Sequence, residues 1–270
     1  MQPFFMLGIL ILFIILAFRT RGKNSQAEQY YAAMLARSGT YSERFTADML
    51  TGLPAPAESY FKHSVAPGAY LKFGCELQMT GRCAMGGPGW PRRQKLSAKE
   101  VIRRPNEYVW LIKTFTPLAS AWQGHDISLD GRWWSTFSMS GIEDYSPVRE
   151  RILLARRIAE TLWVPAALLP QTGTRWEALA ADTARITFEV LGNWCSAELH
   201  LNADGSVRQL EARSFGNLDS RCVNGQLTIT AFESTWYDDY RIPKRLSCSM
   251  LHDGRQFEFL ELELKYLRYR

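Results

Sequence analysis

The chain has 270 residues, of which 46% are hydrophobic and 22% are charged, a balance typical of folded proteins and not of a disordered tail. Five cysteines without a C-x-x-C pair exclude a disulfide-dense small fold and a cysteine-based zinc module. The net charge of +5 is modest, and the basic residues are not concentrated as in most nucleic-acid-binding proteins. We therefore expect a globular protein with no nucleic-acid partner.

The N-terminus predicts a membrane anchor over residues 1–23. Residues 3–18 form an uncharged apolar run, and Arg19, Arg21 and Lys23 follow at once. As a helix, the first 18 residues reach about 27 Å, close to the ~30 Å of a hydrocarbon core. A secretory signal peptide is the alternative, but no basic residue precedes the run and no small-residue cleavage site follows it.

The charges beside this run also predict which side of the membrane the rest of the chain occupies. All the local positive charge follows the span, so the positive-inside bias places the domain in the cytoplasm. The odd number of cysteines agrees, because a reducing compartment tolerates free thiols. The prediction is a single-pass protein of the inner (cell) membrane, with a periplasmic domain as the alternative.

Residues 24–68 predict a helical lead-in segment. Good helix formers run from Ala27 to Ser38, and Gly39 stands where a helix would end. A short turn is expected at residues 47–50, and Pro54 and Pro56 introduce a second helix that ends near Val65.

Residues 69–270 predict one antiparallel β domain. Apolar and polar residues alternate over segments such as 185–190, 195–201 and 260–266, which indicates strands with one covered face. Turn sequences lie between such runs, namely Asp130-Gly131, Asp204-Gly205, Asn224-Gly225 and Asp253-Gly254. One inserted helix is expected near residues 147–162, where apolar residues recur at helical spacing.

The expected fold class is mainly β (α+β), with an N-terminal transmembrane helix. About ten half-apolar strands need cover and the sequence offers few helices, so the sheet should curve into a half-barrel over them. Where the helices leave the concave side open, an apolar cleft suited to hydrophobic ligands would remain.

The segment from Glu160 to Pro170 (ETLWVPAALLP), with Trp176 after it, resembles the E-x-x-W-x-P-x-A-L-L-P signature of an uncharacterised bacterial family. Members of that family are often membrane-anchored and have no known activity. Leu53-Pro54, Glu107–Trp110 and Asp126–Gly131 fit the same order, so the resemblance covers most of residues 46–268. The strand pattern is also similar to that of the LolA/LolB half-barrel carriers, which implies acyl-chain binding, although the lipoprotein cysteine of the LolB type is absent.

The ligand-contacting residues expected on this basis are large apolar side chains: Trp110, Trp122, Trp134, Trp163, Leu168, Leu169 and Trp176. A rigid aromatic lining can hold an acyl chain, whereas the alternative is that these rings fill the core of a curved sheet. Likewise, the loop from Trp163 to Pro170 is either a lid or a buried crossover.

No catalytic residue, metal or cofactor is predicted. Asp126, Asp130 and Glu160 would make an acid/base group if they converged. The simpler interpretation places Asp130 in its turn, Asp126 at the surface or in a turn, and Glu160 beside a helix arginine. His63, His125, His200 and His252 are isolated, and phosphate-binding loops and nucleophile elbows are absent from the sequence. Cys75 and Cys83 are expected to be free thiols that flank a hairpin tip at Gly81–Gly89.

The function predicted from the sequence is a membrane-tethered domain that binds a lipid or another apolar ligand in a concave sheet. One alternative is a hydrolase or isomerase that uses Asp126, Asp130 and Glu160. The other is a structural or interaction module whose cleft is filled by its own side chains.

Overall fold

The computed structural model describes residues 26–37, 39, 41–85, 92–103, 107–115, 122–135, 158–190, 193–212, 227–252 and 255–270. The predicted anchor (1–23) and most of the predicted helix near 147–162 lie outside these ranges, so the domain boundaries stay predictions. Within the described ranges, each helix is too short or too polar to cross a bilayer.

The strands form a single curved, open, antiparallel sheet, which confirms the mainly β class. The twelve strands are β1 (Gly74–Met85), β2 (Arg92–Arg103), β3 (Tyr108–Phe115), β4 (Trp122–Leu129), β5 (Arg132–Ser135), β6 (Arg175–Ala180), β7 (Thr183–Val190), β8 (Asn193–Leu201), β9 (Val207–Ala212), β10 (Leu227–Tyr237), β11 (Tyr240–His252) and β12 (Arg255–Tyr269). Their order is β5-β4-β3-β2-β1-β12-β11-β10-β9-β8-β7-β6. Two meanders, β1–β5 and β6–β12, are therefore joined by the pairing of β1 with β12.

Two of the predicted turns lie in described residues, and both are confirmed. Asp130 and Gly131 have φ angles of 49° and 72°, as a two-residue hairpin turn requires, and Gly205 has a φ of 82°. A further turn places Asp238 at a φ of 50° without a glycine to mark it in the sequence. The Asn224-Gly225 and Asp253-Gly254 pairs lie outside the described residues.

The face pattern of β12 differs from the one predicted. Alternation placed Leu264 and Tyr266 on the same covered face. A β-bulge in the pairing with β1 leaves Lys265 without an opposite residue, and the extra residue reverses the faces beyond it. Leu264 is buried, but Tyr266 is exposed, and Leu267 and Tyr269 take over the covered face.

One face of the sheet, called the inner face here, is covered by α2 (Ala55–Ser64) and by residues 158–172. Pro54 is the N-cap of α2 and Pro56 lies in its first turn, as predicted, and Tyr60 and Phe61 are fully buried. Their rings lie 5.8 and 5.5 Å from that of Trp176. Residues 158–160 end a helix, and three short 3-10 turns follow at Thr161–Trp163, Pro165–Leu168 and Pro170–Thr172.

The opposite, outer face is covered by helix α1 (residues 26–36). Its Ala27, Tyr31 and Met34 pack on a row of outer-face side chains that are neighbours in the strand register: Val101, Val109 and Ile127. Lys99 donates to Glu28 at 2.6 Å across this contact. The helices α1 and α2 therefore cover opposite faces of the sheet.

Candidate functional site

The sequence-predicted ligand residues do not share one surface. Trp110, Trp163, Leu168 and Leu169 are at most 4% exposed and belong to the inner-face core, against which Trp176 packs. Trp134 lies instead on the outer face beside Tyr30, because it pairs with Ile127 and successive strand residues alternate faces. The side chain of Trp122 is outside the described part of the structure.

The segment from Trp163 to Leu169 is a buried crossover in this structure. The hydroxyl of Tyr269 donates to the carbonyl of Trp163 at 2.9 Å. The indole Nε1 of Trp176 donates to the carbonyl of Leu168 at 2.8 Å. These bonds fix the segment to the sheet by its backbone while its apolar side chains fill the core.

Two of the predicted carboxylates, Asp126 and Asp130, lie apart from each other. Asp130 is exposed in its turn, as the simpler interpretation had it, but Asp126 is buried in β4, so its placement at the surface or in a turn was wrong. The two residues are four positions apart in the chain, which corresponds to about 13 Å of extended strand. Glu160 is buried, and a carboxylate not predicted from sequence, Glu100, is buried near it on the inner face.

Cys75 shows where those two carboxylates lie. Burial raises the pKa of the Cys75 thiol well above its usual value, and the nearby charges of Glu100 and Glu160 raise it further. The thiol is therefore protonated and unreactive at neutral pH. This arrangement does not resemble an activated nucleophile.

Cys75 and Cys83 are buried free thiols, as expected. The two do not flank a hairpin tip, however, because β1 continues to Met85 and contains both. Eight residues of extended strand hold them about 26 Å apart, too far for a disulfide.

A cleft of about 500 Å³ opens where β1 begins and where β2 and β12 end. Its size is in the range of small-molecule sites. It is lined by Met34, Arg37, Gly39, Tyr41, Ser42, Glu43, Leu71, Phe73, Gly74, Val101, Ile102, Arg103, Glu107 and Arg270. None of the sequence-predicted ligand residues is among them.

The lining of this cleft combines an apolar floor with a charged rim. The apolar lining residues, called the floor here, are Met34, Leu71, Phe73, Val101 and Ile102. Phe73 is the most exposed of them, because the other four are at most 3% exposed. The rim carries three arginines, Arg37, Arg103 and Arg270, against Glu43 and Glu107. Such a lining suits a ligand with one apolar part and one anionic part.

Arg270 is held in the cleft from two sides. Its backbone N–H donates to the carbonyl of Gly74 at 2.9 Å, and its Nη2 donates to Glu76 at 2.7 Å. Its Nε is buried and has no hydrogen-bond partner among the described residues. A buried cationic donor without an acceptor is costly, so Arg270 is held in place at an energetic cost.

Tyr41 places a further polar group at the rim. Burial raises the pKa of the Tyr41 hydroxyl, and the neighbouring Arg103 partly opposes this rise. The hydroxyl is thus protonated at neutral pH and available as a donor beside an arginine.

The protein is thus of the mainly β class: it has one curved open sheet with helices on both faces and an amphipathic cleft at one end of the strands. Residues 43–262 match the model of a family of unknown function, DUF6544, and the chain belongs to that family. The resemblance drawn from the E-x-x-W-x-P-x-A-L-L-P segment, to an uncharacterised family, is confirmed.

Comparison of this chain with known proteins gives information about its fold alone. No curated protein matches the chain. Among solved structures, a LolA superfamily protein from Nitrosomonas europaea is 10% identical, with a TM-score of 0.38, and the match covers 84% of this chain and 94% of that one. A domain assigned to outer membrane lipoprotein sorting from Vibrio parahaemolyticus is 11% identical, with a TM-score of 0.32 and coverage of 73% and 85%. A DUF1329 family protein from Desulfovibrio piger is 9% identical, with a TM-score of 0.25 and coverage of 73% and 86%. These scores are too low to carry an inference about ligand or activity.

Proposed function

We propose that this chain is a membrane-tethered binding protein that holds an anionic amphiphile, an acyl chain with a carboxylate or phosphate head, in the cleft. The apolar floor accepts the chain and the arginine rim accepts the head. The observation that carries the proposal is that three arginines, Arg37, Arg103 and Arg270, line the same cleft of about 500 Å³ as the apolar floor. The predicted lipid ligand is thus retained, but its site moves from the tryptophan set to the cleft.

The position of the cleft along the chain supports the tether. The described part of helix α1, residues 26–36, lies close in sequence to the predicted anchor over residues 1–23. Its eleven residues extend about 16 Å, and its C-terminal end supplies Met34 and Arg37 to the cleft. The anchor would therefore hold the cleft close to the bilayer, where amphiphiles are most concentrated.

Binding of palmitate tests the proposed ligand class. Native mass spectrometry of the full-length chain in non-ionic detergent should show one bound palmitate. Arg270→Gln should weaken binding about tenfold, because one charge-assisted hydrogen bond is lost. Arg37→Gln, a change on the rim that leaves the Arg270–Glu76 bond intact, should weaken it in the same direction.

Arg93→Gln is the matched control, because Arg93 is an exposed arginine that pairs with Glu258 away from the cleft. Its affinity for palmitate should equal that of the unchanged protein, and hexadecanol, which lacks the anionic head, should bind more weakly than palmitate. Absence of stoichiometric palmitate, or equal loss in all three variants, would refute the proposal.

We also propose the cytoplasmic side for the domain, on the charge bias around residues 3–18. A C-terminal green fluorescent protein fusion should be fluorescent in cells. Green fluorescent protein does not become fluorescent after export through the general secretory pathway, so fluorescence indicates a cytoplasmic C-terminus. A dark fusion together with an active C-terminal alkaline phosphatase fusion would place the domain in the periplasm instead.

A further inference from the structure

Three side chains with metal-ligating groups converge on the outer face of the sheet, on strands that do not line the cleft. They are Glu198 and His200 of β8 and Glu211 of β9. One ligand atom from each lies within 4.8 Å of the other two. Glu198 and His200 share a face because they are two residues apart on a strand, and the register sets Glu211 directly opposite Glu198.

The hydrogen bonds of His200 fix which ring nitrogen can act as a ligand. Its Nδ1 lies 3.2 Å from the hydroxyl of Thr183, and that hydroxyl donates to the carboxylate of Asp182 at 3.0 Å. Because the Thr183 proton is committed to Asp182, the hydroxyl oxygen accepts the Nδ1–H of His200. The lone pair of the neutral ring therefore lies on Nε2.

The charge state of Asp182 supports this assignment. The hydrogen bond from Thr183, followed by that from Arg208, holds the pKa of the exposed Asp182 carboxyl below its usual value. Asp182 is therefore ionised at neutral pH and can only accept hydrogen bonds. An outer hydrogen bond that fixes the tautomer of a ligating histidine is the usual arrangement around protein metal sites.

The Nε2 atom of His200 is buried, and no donor reaches it from the described residues. The carboxylate of Glu211 lies close to it, with Oε1 4.0 Å away. A lone pair that faces a carboxylate is repelled by it, so this orientation is favourable only with a cation between them or a proton on the nitrogen.

The two carboxylates also favour a cation at this position. Like charges directly opposite each other on paired strands are destabilising. Arg185 lies 3.7 Å from Glu198, but its closer bond, at 2.8 Å, is to Glu177. The amide of Gln209, a neutral donor, binds Glu211 at 2.7 Å.

We propose that Glu198, His200 and Glu211 form a binding site for a divalent transition-metal cation, with Zn²⁺ as the best match. One imidazole and two carboxylates suit a borderline metal better than Mg²⁺ or Ca²⁺, which favour oxygen ligands alone. In tetrahedral zinc sites the ligand atoms lie about 3.4 Å apart, so small rotations of the glutamate side chains would complete the shell. The fourth position is left for water or for a ligand from another molecule.

Zinc titration of the full-length chain tests the site. The protein in detergent, stripped with a chelator, is titrated with Zn²⁺ in competition with a chromophoric zinc indicator at pH 7.5. We expect one equivalent of Zn²⁺ to bind, and at least tenfold weaker binding in His200→Gln and in Glu211→Gln. The control, Glu233→Gln, removes an exposed carboxylate that pairs with Lys244 outside the cluster, and should leave the affinity unchanged.

A second measurement separates zinc binding from a protonated histidine. In nitrogen-15 spectra at pH 7.5, Zn²⁺ should shift the Nε2 signal of His200 while Nδ1 keeps its proton. An imidazolium signal from His200 in the metal-free protein at this pH would mean that a proton already fills the gap, and would overturn the proposal. Less than a stoichiometric amount of bound Zn²⁺, or unchanged affinity in both ligand variants that retain the thermal stability of the parent, would overturn it as well.

Discussion

Replacement of Leu168 by alanine is expected to lower the free energy of unfolding by about 3 kcal/mol. Leu168 is fully buried in the inner-face core, and its carbonyl accepts the hydrogen bond from Trp176. Because the surrounding segment is fixed to the sheet by backbone hydrogen bonds, it cannot collapse to fill the space that the leucine leaves. Urea denaturation of the full-length chain, followed by tryptophan fluorescence, measures the loss.

Leu179→Ala is the matched control for this experiment. Leu179 is an exposed leucine of β6, so the same substitution there should change the free energy of unfolding by less than about 0.5 kcal/mol. If Leu168→Ala instead leaves stability intact and abolishes palmitate binding, Leu168 is a ligand residue, as the sequence predicted, and the cleft is not the site.

The second large effect is expected at Gly81, which lies opposite Leu262 in the pairing of β1 with β12. A Cβ atom on this residue would enter the backbone carbonyl of Glu261 on the opposite strand. No side-chain rotation relieves a contact with backbone, so the two strands would have to move apart. We expect Gly81→Ala to cost about 3 kcal/mol of stability, at the upper end of overpacking effects.

Thr80→Ala provides the comparison for Gly81, since Thr80 is its exposed neighbour on the same strand. It should cost less than about 0.5 kcal/mol in the same denaturation assay. Equal stabilities of the two variants would mean that the β1–β12 pairing is looser than the structure has it.

The local features of the fold could be predicted from the sequence. Period-two alternation indicates β7 and β8 because alternate residues of both strands face the same core: Ile186, Phe188, Cys195, Ala197 and Leu199. The Asp130-Gly131 turn is predicted because few other residue pairs adopt its backbone angles. Pro56 marks the first turn of α2 because proline at that position loses no helical hydrogen bond.

The pairing between distant strands could not be predicted, and the candidate site depends on it. Arg270 reaches Gly74 and Glu76 only because β12 pairs with β1. The sequence does not indicate which strand pairs with β1. Other arginines and glycines in the chain look the same in the sequence, so residue type does not mark Arg270 and Gly74 as neighbours. The same limitation applies to Glu198 and Glu211, which the register of β8 and β9 sets opposite each other.

The tryptophan set was chosen on residue type, and type alone does not indicate whether a ring faces solvent, ligand or core. Trp110 and Trp134 are separated by the sheet itself, a fact that follows from the alternation of β5 once its register is known. The interpretation of these rings as core residues was among the alternatives, and the burial of Trp110 and Trp163 agrees with it.

The pairing of β1 with β12 also has a consequence for synthesis of the protein on the ribosome. Glu76 and Arg270 are 194 residues apart in the chain, so the two meanders meet only after the last strand has left the exit tunnel. Until then β1 presents a bare hydrogen-bonding edge, a surface on which nascent chains aggregate. A chain cut short before β12 should therefore accumulate in inclusion bodies or be degraded, and folding of the complete chain should be slow, because its central contact is also its most non-local one.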